Sequence, residues 1–434
     1  MTRQLSKTTS PSPHAQPEQP QAFAALEWCW PRHRADTTTA LLSGVTRLGR
    51  DESTSLVLAD PEVSRLHAEI RVRRGKCCLR DLGSRNGTFV NSERVDEAVL
   101  TPGDVVRLGS SIAIFDTRMT SDPPPRFRTL AEDLLGGEGL AGAIEPARRA
   151  ARSTVPIVLE GESGTGKEPV ARAIHTWSRR SGPLVSVNCA AIPPGLAEAE
   201  LFGYRKGAFT GASASNEGYF RAAHGGTLFL DEVAELPLPN QAKLLRAVER
   251  MEVVPLGATK PVPIDVRILA STPVPLAVLV DQGTFRADLF ARLSGLTIRL
   301  PRLAERRADV PQLFEHFFRT LGGTAELDTR LVERLLVHDF RLNVRELRQA
   351  AHCLASVYGQ LSTALTATHL EPIIGTGSVP APRTSLRRAR REIELPAVRA
   401  KMNEHQGNVS QVAHELGISR QRVYRLLRES GEAT

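Results

Sequence analysis

Between residues 22 and 118, apolar and polar positions alternate in short segments, such as Ala68-Glu69-Ile70-Arg71-Val72 and Val105-Val106-Arg107-Leu108. Turn dipeptides, among them Asn86-Gly87 and Pro102-Gly103, separate them. Period-two segments cut by such turns predict a β-sandwich. From residue 131 the pattern changes. Apolar runs at 156–160, 184–187, 227–230 and 266–270 alternate with stretches of helical spacing, which predicts an α/β domain with buried strands. Near the end, Leu395 to Leu427 has helical periodicity broken at Gln406-Gly407-Asn408 and again at Gly417-Ile418. Val409 to Leu416, a glycine turn and a second helix capped by Ser419 predict an all-α helix-turn-helix over 395–434. The segment 1–21, rich in Pro, Ser, Thr and Gln, is expected to be disordered. Residues 119–130, with Pro123-Pro124-Pro125, and 373–394 read as linkers. The expected fold class is therefore multidomain: β-sandwich, then α/β, then all-α.

Composition narrows the setting. At 434 residues the chain has room for about three domains, and 41% hydrophobic with 24% charged residues fits soluble globular material. No apolar run approaches the ~18 residues that span a bilayer. The first residues lack a secretory apolar core, and five scattered cysteines suggest reduced thiols, so a cytoplasmic protein without membrane attachment is expected. The net charge is +8, and from Arg383 onward eleven Lys and Arg against six Asp and Glu give +5 of it. A basic end points to a polyanion such as double-stranded DNA. Arg420, Gln421, Arg422, Tyr424 and Arg425, with Ser419, stand where a recognition helix meets bases and phosphates.

The candidate chemistry lies in the α/β region. Ile157-Val158-Leu159-Glu160 leads into Gly161-Glu162-Ser163-Gly164-Thr165-Gly166-Lys167, and a helical pattern starts at Glu168. Strand, glycine-rich loop and helix make a phosphate cradle for ATP, with Lys167 as the point charge on the β- and γ-phosphates. Sixty-four residues later, Thr227-Leu228-Phe229-Leu230 ends in Asp231 and Glu232. Behind a buried strand, that pair suits Mg²⁺ binding by Asp231 and orientation of the attacking water by Glu232. The stretch Gly207-Ala208-Phe209-Thr210-Gly211-Ala212 is too rich in small residues for a core strand and reads as a loop presenting Phe209 and Thr210 outward.

Three clusters in the first domain, Leu48-Gly49-Arg50, Val63-Ser64-Arg65-Leu66-His67 and Asp81 to Asn91, together resemble a forkhead-associated (FHA) domain over 22–118. The resemblance implies phosphothreonine recognition, with Arg50 and Ser64 on the phosphate, Arg65 and Arg85 nearby, and Asn86 on the peptide backbone. Arginine forks and hydroxyls suit such a charge.

With the GAFTGA loop, residues 128 to 372 resemble the AAA+ domain of bacterial enhancer-binding proteins, the activators of sigma-54 RNA polymerase. The resemblance implies an α/β subdomain over 131–305, a helical lid over 306–372, a hexameric ring, and a loop at Gly207–Ala212 that contacts sigma-54. It implies Asn188 as the residue gating Glu232, Arg286 and Arg292 as fingers from a neighbouring subunit, and Arg345 as the sensor arginine of the lid; with Pro273 in the place of the sensor asparagine, γ-phosphate sensing must rely on Thr272 or other groups. The last domain resembles the Fis-type DNA-binding domain. Several positions depart from the pattern: Glu168 replaces a Ser or Thr (a glutamate is usual in this family), Pro169 an aliphatic residue, Pro273 the sensor asparagine, Ala304 an arginine, and Phe340-Arg341-Leu342 a Trp-Pro-Gly. The leading expectation is a sigma-54-dependent transcriptional regulator controlled by a threonine-phosphorylated protein or by its own phosphorylated tail, with Thr8 and Thr9 as candidates. The alternative is a DNA-tethered phosphopeptide-binding scaffold with weak or lost ATPase activity. A non-transcriptional remodeller fits the loop and the basic end less well.

Overall fold

The computed structural model describes residues 23–31, 39–73, 75–118 and 127–374, with isolated positions 402, 409, 411 and 412. The leading tail, the centre of each linker and the candidate DNA-reading residues Ser419, Arg420, Gln421, Arg422, Tyr424 and Arg425 lie outside the described residues.

The first domain is a two-sheet sandwich. One sheet joins β1 (Phe23–Trp30), β2 (Thr39–Leu42), β7 (Thr88–Val90), β8 (Glu93–Val95), β10 (Val105–Leu108) and β11 (Ser111–Arg118) in the order β2-β1-β11-β10-β7-β8. The other joins β3 (Val45–Gly49), β4 (Leu56–Val57), β5 (Ala68–Arg73), β6 (Lys76–Asp81) and β9 (Glu97–Leu100) in the order β4-β3-β5-β6-β9. Alternate residues meet between the sheets: Leu26, Val106, Leu108, Ala113 and Phe115 from one, and Leu48, Ile70 and Leu79 from the other.

Part of the stretch read as a linker is structured. β12 (Arg128–Ala131) and β13 (Leu134–Gly136) form a hairpin, because Leu130, Ala131 and Leu134 have an apolar surface to cover on α1 (Glu138–Arg149). The α/β subdomain then runs β14 (Ile157–Glu160), α2 (Lys167–Ser178), β15 (Leu184–Asn188), α3 (Ala197–Phe202), α4 (Gly218–Ala222), β16 (Thr227–Asp231), α5 (Leu238–Arg250), β17 (Glu252–Val253), β18 (Val262–Pro263), β19 (Arg267–Thr272), α6 (Leu276–Asp281), α7 (Ala287–Leu293) and β20 (Leu296–Arg299). Five of these strands form a parallel sheet in the order β15-β16-β19-β14-β20. Helices cover both faces, so the central strands β14, β16 and β19 are buried along nearly their whole length. Val158, Leu228 and Leu230 face the cluster of Leu201, Phe220 and Leu244, while Ile157, Leu159 and Phe229 face that of Ile144, Val170 and Ile174. The edge strand β20 lies outside the four apolar runs of this region.

The lid contains α8 (Val310–Thr320), α9 (Thr329–Val337), α10 (Asn343–Tyr358) and α11 (Ala367–Ile374), so the second expected linker begins in a helix. Phe314, Phe318, Leu335, Leu347 and Leu354 are buried in its centre. Among the described residues no helix is long and apolar enough to cross a membrane.

Candidate functional site

Strand order brings the chemistry together. β19 lies between β14, which feeds the glycine-rich loop, and β16, which ends in the paired acids. The carboxyl ends of all three strands open on one crevice, the usual binding edge of such sheets. Gly164 (φ 79°) and Gly166 (φ 105°) take left-handed backbone in the loop. At Gly164 a second constraint applies: an added Cβ would lie 2.0 Å from the Leu342 carbonyl oxygen of the lid. Lys167 starts α2, and its ammonium donates to the carbonyls of Gly161 (2.7 Å) and Glu162 (3.1 Å). Burial pushes its pKa down, while the charges of Asp231 and Glu232 pull it back. Glu168 pairs with Arg172 at 2.7 Å on the exposed side of α2. Pro169 sits in the first turn, where its missing N–H costs nothing.

Ser271 links the two acids and was not singled out from the sequence. Its hydroxyl donates to Asp231 Oδ1 and accepts from the Glu232 N–H at 3.2 Å. Asp231 then keeps Oδ2 for a cation, which fits Mg²⁺ sharing its remaining oxygens with phosphate and water. Glu232 has φ 54°, an uncommon value for a non-glycine residue, so the backbone is bent at the candidate base. Thr272 is fully buried, and its hydroxyl is taken up by Val274, donating to the carbonyl at 2.6 Å. Asn188 pairs in register with Asp231 and caps a short 3₁₀ turn through Ala190 N (2.9 Å) and Ala191 N (3.2 Å).

The lid reaches the loop through four groups. Arg345 Nη1 donates to Ser163 Oγ (2.9 Å) and the Val344 N–H to the Gly164 carbonyl (3.0 Å). Asn343 Nδ2 donates to Ser163 O (3.1 Å) and Glu162 Oε2 (3.3 Å). The buried Arg306 donates to Thr165 O at 2.9 Å and faces Asp309, whose Oδ1 accepts from Gly137 N at 3.0 Å. Neither Asn343 nor Arg306 belongs to a recognisable phosphate motif. Asn343 stands two residues before the candidate sensor Arg345. In the altered segment, Phe340 is buried in the lid with His338 edge-on at 4.6 Å, while Leu342 is exposed. Arg286 stands at the N-cap of α7 and Arg292 lies in its last turn, both with exposed side chains, and Arg286 holds Asp288 through two bonds of 3.0 and 2.6 Å.

Gly207 to Ala212 form the tip of a hairpin between α3 and α4. Its stem is closed by the Tyr204–Asn216 bridge, and its turn by Gly207 N to Ala212 O (2.9 Å) and Ala212 N to Phe209 O (3.0 Å). Phe209 is 39% exposed and leans edge-on against Tyr204 at 5.0 Å; Thr210 is exposed beside it.

At one end of the sandwich, Arg50 N donates to Ser64 O (3.0 Å) and Asp51 N to Arg65 O (3.1 Å), which sets these side chains side by side. Gly49 permits the approach, since a Cβ there would lie 2.1 Å from Arg65 O. The Ser64 hydroxyl accepts from the Arg85 N–H at 3.0 Å and so keeps its own hydrogen for an anion. Asn86 Nδ2 donates to Glu62 O at 2.8 Å. Arg50, Arg65, Arg85 and Asn86 are all exposed. Asp81 organises the third cluster, accepting from Gly83 N, Ser84 N, Ser84 Oγ and Thr88 Oγ1. Burial raises its pKa, but these hydrogen bonds outweigh that and hold it below the carboxylate range.

His67 is fully buried; Nδ1 accepts from Ser64 N (3.1 Å), so Nε2 carries the proton and donates to Gly87 O (3.2 Å). Burial lowers its pKa, opposed by Gly87, Asp81 and Asp60. Below about pH 6.5 the unfolded chain therefore takes up a proton that the fold resists. The histidine's contribution is complete above that pH and lost as pH falls below it. Amide protection factors over 68–90 are expected to be lower at pH 5.5 than at pH 7.5; equal values would refute the neutral buried imidazole.

Family models match four segments: a sigma-54 interaction domain over residues 137–299, an FHA domain over 46–109, an AAA+ ATPase lid domain over 304–385, and a bacterial regulatory protein of the Fis family over 389–429. The chain is 39% identical to the pathogenicity locus probable regulatory protein HrpR of Pseudomonas syringae pv. syringae, over 68% of this chain and 92% of that one. It is 48% identical to the sigma54-dependent transcriptional activator SfnR of Pseudomonas putida, over 47% of this chain and 58% of SfnR. The crystal structure of NtrX from Brucella abortus in complex with ATP is similar with a TM-score of 0.52 and 35% identity, covering 70% of each chain.

Proposed function

The chain belongs to the sigma-54-dependent transcriptional activators, and from that premise we propose that it is a DNA-bound cytoplasmic ATPase that remodels sigma-54 RNA polymerase under phosphothreonine control. What carries the reading is one subdomain that combines a P-loop, an acid pair joined through Ser271 and an exposed Phe209-Thr210 hairpin tip.

Lys167 and the loop amides bind the phosphates, and the α2 N-terminus favours their charge. Bound Mg²⁺ would supply a Lewis acid on the phosphate oxygens, held by Asp231. Glu232 orients and polarises water, with its backbone fixed by Ser271. Arg286 and Arg292, exposed on α7, act on the site of the next subunit in a hexameric ring. Since the Thr272 hydroxyl is engaged and Pro273 lacks an amide, sensing of the γ-phosphate falls to Arg345, reached through Ser163. The same Pro273 favours the second reading, a phosphopeptide-binding scaffold tethered to DNA with little turnover.

Transcription from a sigma-54 promoter by the purified chain tests the proposal. It is expected to require ATP and an upstream site and to change when a phosphothreonine partner is added. Arg50→Ala is expected to abolish the response to the partner and to weaken phosphopeptide binding by about 2 kcal/mol, roughly 30-fold. No transcription under any condition would overturn the activator assignment, and an unchanged peptide affinity in Arg50→Ala would overturn its phosphothreonine branch.

A further inference from the structure

One face of the sandwich belongs to the lid. In β10 and β11, Val106, Ala113 and Phe115 point between the sheets, so Val105, Ile112 and Ile114 point away from them. An outward face of a sandwich is normally wet and polar. Here Val105, Ile112 and Ile114 are 0%, 0% and 6% exposed, and with Cys29 they join the apolar cluster of Phe314, Leu331 and Leu335. In the middle of that face, Arg107, the cross-strand partner of Ile112, reaches Glu333 of α9 at 2.7 Å with its guanidinium 3.8 Å over the Phe89 ring. The pair's side chains are 11% and 4% exposed. At the rim, Arg307 Nη1 donates to Gly103 O at 3.1 Å.

The docked face is connected at both ends. Towards the crevice, the same lid bonds Ser163 and Gly164 through Asn343, Val344 and Arg345. Towards the phosphopeptide loops, the turn after Arg107 is fastened to the segment bearing Ser64. Asp60 accepts from the Ser110 amide and from the hydroxyls of Ser110 and Ser111, and Gly109 lies so close to Glu62 that an added Cβ would meet it at 2.9 Å. The exposed Arg50 and Arg85 are left free by this docking.

We infer that the sandwich is an intramolecular clamp on the lid: seated through Val105, Ile112 and the Arg107–Glu333 pair, it holds the lid's contacts to the glycine-rich loop and thereby lowers the affinity of the chain for nucleotide. A packed interface closes or opens as a unit rather than by degrees, and such an element can carry a coupling between sites. The inference rests on the ATPase reading for the nucleotide site and is independent of what the FHA loops bind.

The test is a charge swap in the full chain, read by ADP titration and by hydrogen exchange. Glu333→Arg sets like charges against each other and is expected to expose 111–116 to exchange while 68–81 stays protected, with ADP binding about fivefold tighter, the lower end of ordinary allosteric couplings. Arg107→Glu alone is expected to do the same, and Arg107→Glu combined with Glu333→Arg to restore both readouts. Released strands with ADP affinity within about twofold of the original would overturn the clamp. So would singly reversed chains that remain seated, or loss of protection in 68–81 in both, which would mean that the pair supports the sandwich itself. A chain that binds no ADP in any form would overturn the ATPase reading along with it.

Discussion

Replacing Glu232 by Gln is expected to cut ATP turnover by at least ~10²-fold while ATP binding stays within about twofold of the original. The substitution keeps the shape of the side chain and the amide that donates to Ser271. It leaves Lys167 and Asp231, the groups proposed for phosphate and cation, in place. What it removes is the negative charge beside the attacking water, and a hundredfold loss corresponds to about 2.7 kcal/mol of barrier. Phosphate release at saturating ATP measures the first quantity and filter binding the second. A chain that already turns over no ATP with Glu232 present would establish the scaffold reading instead.

The second large effect is expected at the hairpin tip. Phe209→Ala should leave ATP turnover nearly unchanged yet abolish transcription from a sigma-54 promoter. Phe209 is 39% exposed and leans edge-on against Tyr204, outside the buried clusters, so its removal opens no core cavity. An aromatic anchor at an interface contributes about 2 kcal/mol or more, so binding to sigma-54 should weaken by roughly 30-fold. The measurement is sigma-54 retention by the chain trapped in a transition-state-like nucleotide complex. Retention equal to that of the original chain would move the contact elsewhere on the subdomain.

The parts of the site visible in the sequence are those whose chemistry is contiguous. Ile157 to Lys167 and Leu228 to Glu232 each write a strand and its turn in one short run. Local rules therefore suffice to find them. Ser271, Asn343 and Arg306 act through residues 40 or more positions distant: Ser271 on Asp231, Asn343 on Ser163 and Arg306 on Thr165. No period or motif marks such residues, because a serine beside a strand end or an arginine before a helix has many ordinary uses. The sandwich was legible from alternation and turns. The docking of its outer sheet was not. Val105-Val106 and Ile112-Ala113-Ile114-Phe115 are apolar on both faces, which predicts cover on both sides without saying by what. The β12–β13 hairpin was hidden by its proline-rich neighbour, and β20 by its shortness, four residues with Leu296 and Ile298 as their apolar positions at a sheet edge.

Because Val105, Ile112 and Ile114 are covered by the lid helices, the sandwich cannot be treated as an interchangeable cassette. Cut out and expressed alone, residues 23–118 would carry an oily flank and self-associate. A generic sandwich grafted in their place would present a polar flank to α9 and leave Glu333 buried without its counter-ion. The outer face of the sandwich and the lid helices therefore constrain one another residue by residue.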